Sequence, residues 1–163
     1  MYDVCVPKIT AIIHTHDDGA RIGRALESLR ACDQVIVVDH GSKDETVSIA
    51  RQHGATLETA VPGVGPGAYV MDARHEWVLC LQANESLGES LEASLFEWKE
   101  SEPPDGIAGY RCNVREETED GWRALGPRLR LANRERINWT DVLPPDNPDC
   151  PLLAGDLMRF AKP

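Results

Sequence analysis

No stretch of this chain reaches the roughly 18 consecutive apolar residues that a membrane-spanning helix needs. Its opening, Met1 to Lys8, has no charged segment followed by an apolar one. No secretory signal is read there, and the cytoplasm is the expected compartment. Basic residues are also short, with 17 Lys and Arg against 27 Asp and Glu and a formal net charge of −10. Nucleic-acid binding needs cationic surface to displace phosphate counterions, so that class of partner is excluded, as is docking on an anionic membrane. The acidic side chains are spread along the sequence and read as a solubilising surface. No Cys-x-x-Cys pair occurs among Cys5, Cys32, Cys80, Cys112 and Cys150. Neither a zinc ribbon nor a redox dithiol is signalled, and reduced thiols are expected. The glycine-rich run Gly63-Val-Gly-Pro-Gly67 matches neither the phosphate-loop pattern nor the dinucleotide fingerprint. It reads as a flexible loop. Repeats and low-complexity tracts are missing too.

What is present is a strand-helix alternation. At 163 residues and 42% apolar content, one domain with a sizeable core is expected. Lys8 to His14 is β-branched and apolar, a first strand. Ile22, Ala25, Leu26 and Leu29 then recur on one helical face, predicting a helix to about Ala31 with Asp17 or Asp18 as its cap. Gln34 to Val38 is an unbroken apolar strand, as in a sheet covered on both faces. Ser42 and Glu45 form a capping box for the next helix. Ala55 to Glu58 and Trp77 to Leu81 are further strands, with a short helix at about 68–74 between them. Ser86 and Glu89 form a second capping box ahead of the stripe Leu87, Leu91, Leu95 and Trp98. Beyond Glu102 the pattern turns to β: Ile107 to Val114, Arg128 to Ala132 and Arg136 to Trp139 are expected strands. Glu116 to Asp120 reads as a solvated hairpin tip, the proline-rich 141–151 as a loop or lid, and Leu152 to Phe160 as a last short element.

Such alternation implies an α/β fold with a parallel sheet and late antiparallel strands. Ligands then bind at the carboxyl ends of the strands. That places Thr15 to Asp18, Asp39 to Ser42 and Gln82 to Glu85 around one crevice. Asp39 either accepts hydrogen bonds from a ribose or base, or merely organises its Gly-Ser turn. Asp17 and Asp18 are open to the same two readings, with helix capping favoured for Asp17. His14, His16 and His40 lie near the crevice, but their spacing does not signal a metal site.

The segments Ile9-Thr-Ala-Ile-Ile-His-Thr15-His-Asp17-Asp18, Leu26-Glu-Ser-Leu29, Val35-Ile-Val-Val-Asp39-His-Gly41-Ser42-Lys-Asp44-Glu-Thr46 and Trp77-Val-Leu-Cys-Leu-Gln82-Ala-Asn84-Glu85 carry a resemblance. The chain resembles the family 2 glycosyltransferases of the GT-A fold, especially a short bacterial branch acting on lipopolysaccharide core sugars. The likeness runs from about Lys8 to Trp98 and more weakly to about Asn133. It implies a single GT-A domain over 1–163, with a nucleotide-binding half at about 8–98 and an acceptor-side, β-rich part at about 106–163. It also implies a UDP- or GDP-type nucleotide-sugar, a saccharide or lipid-linked acceptor, and an inverting transfer. Thr15, Asp17, Asp18, Asp39, Gly41 and Ser42 would form the nucleotide site. The family's Asp-x-Asp motif after the fourth strand would bind Mg²⁺ or Mn²⁺ across the diphosphate.

Here Gln82 and Asn84 stand in the two carboxylate positions. An amide oxygen adds no charge, and hard cations prefer anionic oxygens, so a Mg²⁺ or Mn²⁺ site would be weakened. Glu85 is the remaining acid, with the first turn before Ser86 as its alternative role. The catalytic base is unassigned. An active enzyme with weak or no metal dependence would need cations against the diphosphate, for which Arg74, Arg128 and Arg130 are available. The alternative is an inactive GT-A-like domain that binds a nucleotide or a protein partner. A Rossmann-like or flavodoxin-like binding module is a third reading, which the motif string and late strands fit less well.

Overall fold

The structure, a computed structural model, describes residues 6–161. Cys5 and Pro163 lie outside the described residues. Four parallel strands form the first half of a sheet: β1 (Ile9–Thr15), β2 (Gln34–Asp39), β3 (Thr56–Thr59) and β4 (Trp77–Gln82). Four more extend it: β5 (Glu85–Leu87), β6 (Gly109–Thr118), β7 (Gly121–Asn133) and β8 (Leu152–Arg159). The order is β3-β2-β1-β4-β7-β6-β8-β5. β7 runs antiparallel to both β4 and β6, β8 parallel to β6, and β5 antiparallel to β8. This is the expected α/β architecture, parallel first and mixed later.

Helices cover both faces, which is why the central strands are apolar throughout. On one face Ile9, Ala11, Ile13, Leu79 and Leu81 pack against α1 (Ile22–Glu27) and α4 (Glu89–Lys99) through Ile22, Leu26, Leu91 and Leu95. On the other, Ile12, Ile36, Val38, Val78 and Cys80 meet Tyr69 and Val70 of α3 (Pro66–Met71). The remaining helix, α2 (Thr46–Gln52), follows β2. Trp77, Trp98 and Tyr110 form an aromatic cluster with centroids 5.1–5.8 Å apart. Cys32, Cys80, Cys112 and Cys150 are free thiols, and burial pushes Cys32, Cys80 and Cys112 up to about 12. No helix among the described residues is long and apolar enough to cross a membrane.

Several local expectations are corrected. The first helix ends at Glu27 rather than near Ala31. The Ser28 hydroxyl donates to the Ala25 carbonyl at 2.8 Å and accepts the Leu87 N–H at 3.0 Å, so the chain turns to meet β5. Ser42 does not cap α2. Its hydroxyl is turned to Asp39, and Asp44 instead accepts the Thr46 N–H at 2.9 Å. Ser86 is not a helix cap either but sits in β5, and Gly88 takes the N-cap position of α4. A side chain at Gly88 would lie 3.0 Å from the Asp156 carbonyl, which explains the glycine there. Arg136 to Trp139 is not a strand: Arg134–Arg136 is a 3-10 turn. The Trp139 indole N–H donates to the Arg134 carbonyl at 3.0 Å and the ring packs beside Gly67 of α3. The hairpin tip narrows to Glu119 and Asp120, since Thr118 already pairs with Gly121.

Candidate functional site

Parallel pairing of β1 with β2 sets Thr15 opposite Asp39. Two loops therefore leave the sheet side by side, and their polar groups interlock. The Thr15 hydroxyl donates to Asp18 Oδ2 at 2.8 Å, and the His16 N–H donates to the same oxygen at 3.1 Å. Arg21 pairs with the other Asp18 oxygen. Asp17 has φ +52°, a left-handed conformation that Asp tolerates better than most residues. Its carboxylate accepts the Lys43 N–H at 2.7 Å, and its own N–H donates to the Ser42 hydroxyl at 2.9 Å. Asp17 is therefore not a helix cap: the first amides of α1, Arg21 and Ile22, bond the Asp18 carbonyl instead. Gly41, at φ +83°, makes the turn that brings Ser42 back over Asp39. Asp39 is 9% exposed and accepts the Ser42 N–H at 3.1 Å together with the Ser42 hydroxyl. Thr15, Asp17, Asp18, Asp39, Gly41 and Ser42 thus form one braced unit. Asp39 Oδ2, which accepts the Ser42 N–H alone among the described residues, keeps capacity for a further donor.

The residues after β4 behave differently from one another. Gln82 is half-buried at the strand end, and its N–H donates to Glu85 Oε1 at 2.7 Å. The Asn84 side chain donates to the Phe160 carbonyl at 3.0 Å, while the Phe160 N–H donates to the Asn84 carbonyl at 2.8 Å. Glu85 is 1% exposed. Arg130 grips it with two bonds of 2.7 and 3.0 Å, and Arg159 adds a third at 3.2 Å. Glu85 is not a first-turn residue but lies in β5, at the centre of a buried ion-pair cluster.

β1–β2 pairing also brings histidines together. His14 Nδ1 lies 2.8 Å from His40 Nε2, and His16 Nδ1 lies 2.8 Å from the His40 carbonyl. Burial, then the neighbouring His40, hold His14 down to about 4, with Asp141 pulling weakly the other way. The edge of Tyr69 lies against His14, with centroids 5.6 Å apart. His40 was legible as a crevice residue because it follows Val38 by two positions on a strand end. Tyr69 and Asp141 carried no sequence signal: one comes from α3 and the other from the proline-rich loop.

The family described as Glycosyl transferase family 2 matches residues 10–153. The chain belongs to this family. An uncharacterised glycosyltransferase of Rickettsia felis is 38% identical over 111 residues, covering 66% of this chain and 39% of that protein. One from Rickettsia typhi is 37% identical over 145 residues, covering 83% of this chain and 50% of the relative. The chain thus spans about two fifths to one half of these relatives' length. Among solved structures, Staphylococcus aureus TarS residues 1–349 align with TM-score 0.51 at 22% identity, over 67% of this chain and 36% of that one. Glucosyl-3-phosphoglycerate synthase of Mycobacterium tuberculosis, in complex with Mg²⁺ and UDP, aligns with TM-score 0.50 at 18% identity, over 66% of this chain and 44% of that one. The fold of this family 2 domain is GT-A.

The residues present do not fit the hard-cation site that the fold implies. Asn84 is committed to Phe160 and Glu85 to two arginines, so neither can turn to a metal without breaking those bonds. Among the described residues no group of three His, Cys, Asp or Glu side chains is arranged to hold an ion. The cations suggested for a diphosphate fare unequally. Arg130 is 2% exposed and spent on Glu85. Arg74 lines a cleft of about 450 Å³ with Lys8, Trp77 and Arg136, at the amino-terminal ends of β1 and β4 and so at the far end from the crevice. Arg128 remains exposed on β7.

Proposed function

We propose that this family 2 domain binds the nucleoside diphosphate of a sugar donor across the carboxyl ends of β1, β2 and β4, and serves an inverting transfer to a saccharide or lipid-linked acceptor. The reading assigns donor binding to about 8–98 and acceptor contacts to about 106–163, with lipopolysaccharide-core sugars as the acceptor class. The observation that carries it is the braced pair of loops around Thr15 and Asp39, which presents two carboxylates at the strand ends where α/β folds bind ligands. Asp39 accepts from a base N–H or a ribose hydroxyl, and Asp18 holds Thr15 in place beside it. Support for a diphosphate comes from family membership and from the UDP held by the mycobacterial synthase of like fold. Dependence on Mg²⁺ or Mn²⁺ is weak in this reading, because the amide of Gln82 is the one motif side chain not already committed within the described residues.

Calorimetric titration with UDP, GDP and their glucose conjugates, each with and without Mn²⁺, tests it. Binding of one nucleotide series with little change on adding Mn²⁺ is the expected result. Lack of binding by every nucleotide would overturn donor recognition. Strong enhancement by Mn²⁺ would overturn the weak-metal reading. Nucleotide binding without sugar transfer would favour a binding module over an enzyme.

A further inference from the structure

We infer that Trp122, Phe160, Arg24 and Glu117 form a platform for a neutral pyranose ring, a sugar unit of the acceptor. The inference rests on the acceptor half of the function proposed above. The strand order β7-β6-β8 and two registers bring these residues together. Trp122 stands opposite Glu117 across the β6–β7 hairpin, so their side chains share a face. Glu116 stands opposite Arg159, which puts Phe160 one step further along, beside Glu117. From either side of β6 the Trp122 and Phe160 rings meet edge to face, with centroids 5.3 Å apart. The Arg24 guanidinium reaches over from α1 and lies 3.9 Å from the Phe160 centroid. Trp122 is nonetheless 43% exposed.

Place and chemistry both point to a sugar. The Phe160 N–H and carbonyl each bond Asn84, so the aromatic pair borders the β4–β5 turn, beside the carboxyl end of β4. A pyranose presents an apolar C–H face and a rim of hydroxyls, each of them donor and acceptor. An indole offers a broad apolar surface to the first, and it loses little freedom on binding when its neighbours already fix it. Glu117 is half-buried and Arg24 exposed. Among the described residues neither makes an ion pair, unlike the neighbouring Glu116, which holds Arg123 and Arg159. One acceptor and one donor group therefore stand unspent beside the rings, as neighbouring hydroxyls require. The pair of opposite charges gives no net pull on an anionic ligand, and the chain as a whole carries −10. A lipid chain laid there would strip water from both charges and give nothing back. A neutral saccharide satisfies the apolar surface and both polar groups.

Indole NMR signals test the platform without any nucleotide. The protein, labelled with nitrogen-15, is titrated with the methyl glycosides of glucose, galactose, mannose and N-acetylglucosamine. At least one should shift the Trp122 indole signal saturably, with Kd on the order of 1–10 mM. The signals of Trp77 and Trp98, 8% and 7% exposed, should stay in place. Read at the Phe160 backbone amide, Trp122→Ala should weaken binding at least tenfold and Trp122→Phe should restore part of it. Glu117→Ala should also weaken it, with the circular dichroism spectrum unchanged in all three. Pyranoside binding without nucleotide binding would keep the platform and remove the donor reading; the reverse would remove the platform alone. Binding of none of the four glycosides or full affinity in Trp122→Ala would overturn the assignment. So would a Trp122 signal that moves only with dodecylphosphocholine, a lipid probe, or only on diluting the protein, the mark of a second copy.

Discussion

Replacing Glu85 by Gln should be among the most damaging conservative changes in the molecule. The side chain keeps its shape, loses its charge and turns one acceptor oxygen into an NH2 group that faces other donors. Glu85 and Arg130 are 1% and 2% exposed. They are joined by two bonds of 2.7 and 3.0 Å. Neutralising Glu85 leaves the Arg130 guanidinium buried without a counter-charge, which typically costs about 3–5 kcal/mol. For a chain of this size each kcal/mol moves the thermal midpoint by roughly 2–4 °C, so a drop of about 6–20 °C is expected by calorimetry. A shift under about 3 °C would refute the reasoning, since it would mean that Arg130 finds water or another partner at little cost. The double variant Glu85→Leu with Arg130→Met separates charge from packing. Well-packed apolar pairs replace buried ion pairs neutrally or better, so it should be more stable than Glu85→Gln, falling short of the wild type by about the 1–3 kcal/mol of the Gln82 N–H left unpaired. If the double variant is no better than Glu85→Gln, the loss is one of shape, and the electrostatic account fails. Arg159→Ala should be milder than Glu85→Gln, because that residue is half-buried and makes one bond to Glu85 at 3.2 Å.

Gln82→Asp should introduce Mn²⁺-enhanced nucleotide binding in calorimetry, whereas adding Asn84→Asp should lower stability by about 1–3 kcal/mol, because a carboxylate would then face the Phe160 carbonyl. If the two changes prove equally tolerated in thermal melts, the strut role of Asn84 is wrong. Asp33 is held below its ordinary 3.8: burial opposes this, but the Lys99 hydrogen bond and the Ile9 N–H outweigh it. A depressed carboxylate contributes stability above its ordinary value and loses it as pH falls through the folded value. Asp33→Asn should therefore cost about 1 kcal/mol near neutral pH, with the gap closing below about pH 4 in urea melts; a gap that persists in acid would contradict this. Gly155→Ala should be severe, with a midpoint loss of several degrees or failure to fold. Gly155 has φ +103°, and a Cβ there would lie 2.2 Å from the Leu91 backbone nitrogen; a wild-type melt for this variant would show that the β8–α4 contact is looser than drawn.

Much of the first half of the fold was legible because one-dimensional signals and tertiary packing agree there. Ile9 to Thr15 and Gln34 to Asp39 are apolar on both faces, and helices do cover both. The convergence of Thr15, Asp18, Asp39 and Ser42 followed from strand ends alone. Apart from Ser42, whose hydroxyl is taken by Asp39 three positions back, the failures share one physical cause: side chains whose partners are remote in sequence. The capping boxes at Ser42 and Ser86 are locally sound. Yet Asp39 recruits the first hydroxyl, and the burial of Glu85 against Arg130 and Arg159 draws the second residue into β5. Arg130 looked available because nothing in its neighbourhood announces a carboxylate forty-five positions earlier. Arg74 looked available because the sequence does not say which end of the sheet a loop joins.

The same remote pairing changes what the two amides mean. Read along the chain, Gln82 and Asn84 are equivalent losses of a carboxylate. In the folded domain they are not. Asn84 uses its amide as a donor, and together with the Phe160 N–H it closes a two-bond clasp between the β4–β5 turn and the end of β8. An aspartate could not donate there, so the amide at 84 is coupled to the way the late strands dock. Gln82 has no such tie, and its register partner is His14, whose ring meets His40. The amide at 84 is thus tied to architecture, while the amide at 82 is uncommitted among the described residues. Restoring a carboxylate at 82 while leaving 84 untouched is accordingly the cleaner route to a hard-metal site in this scaffold.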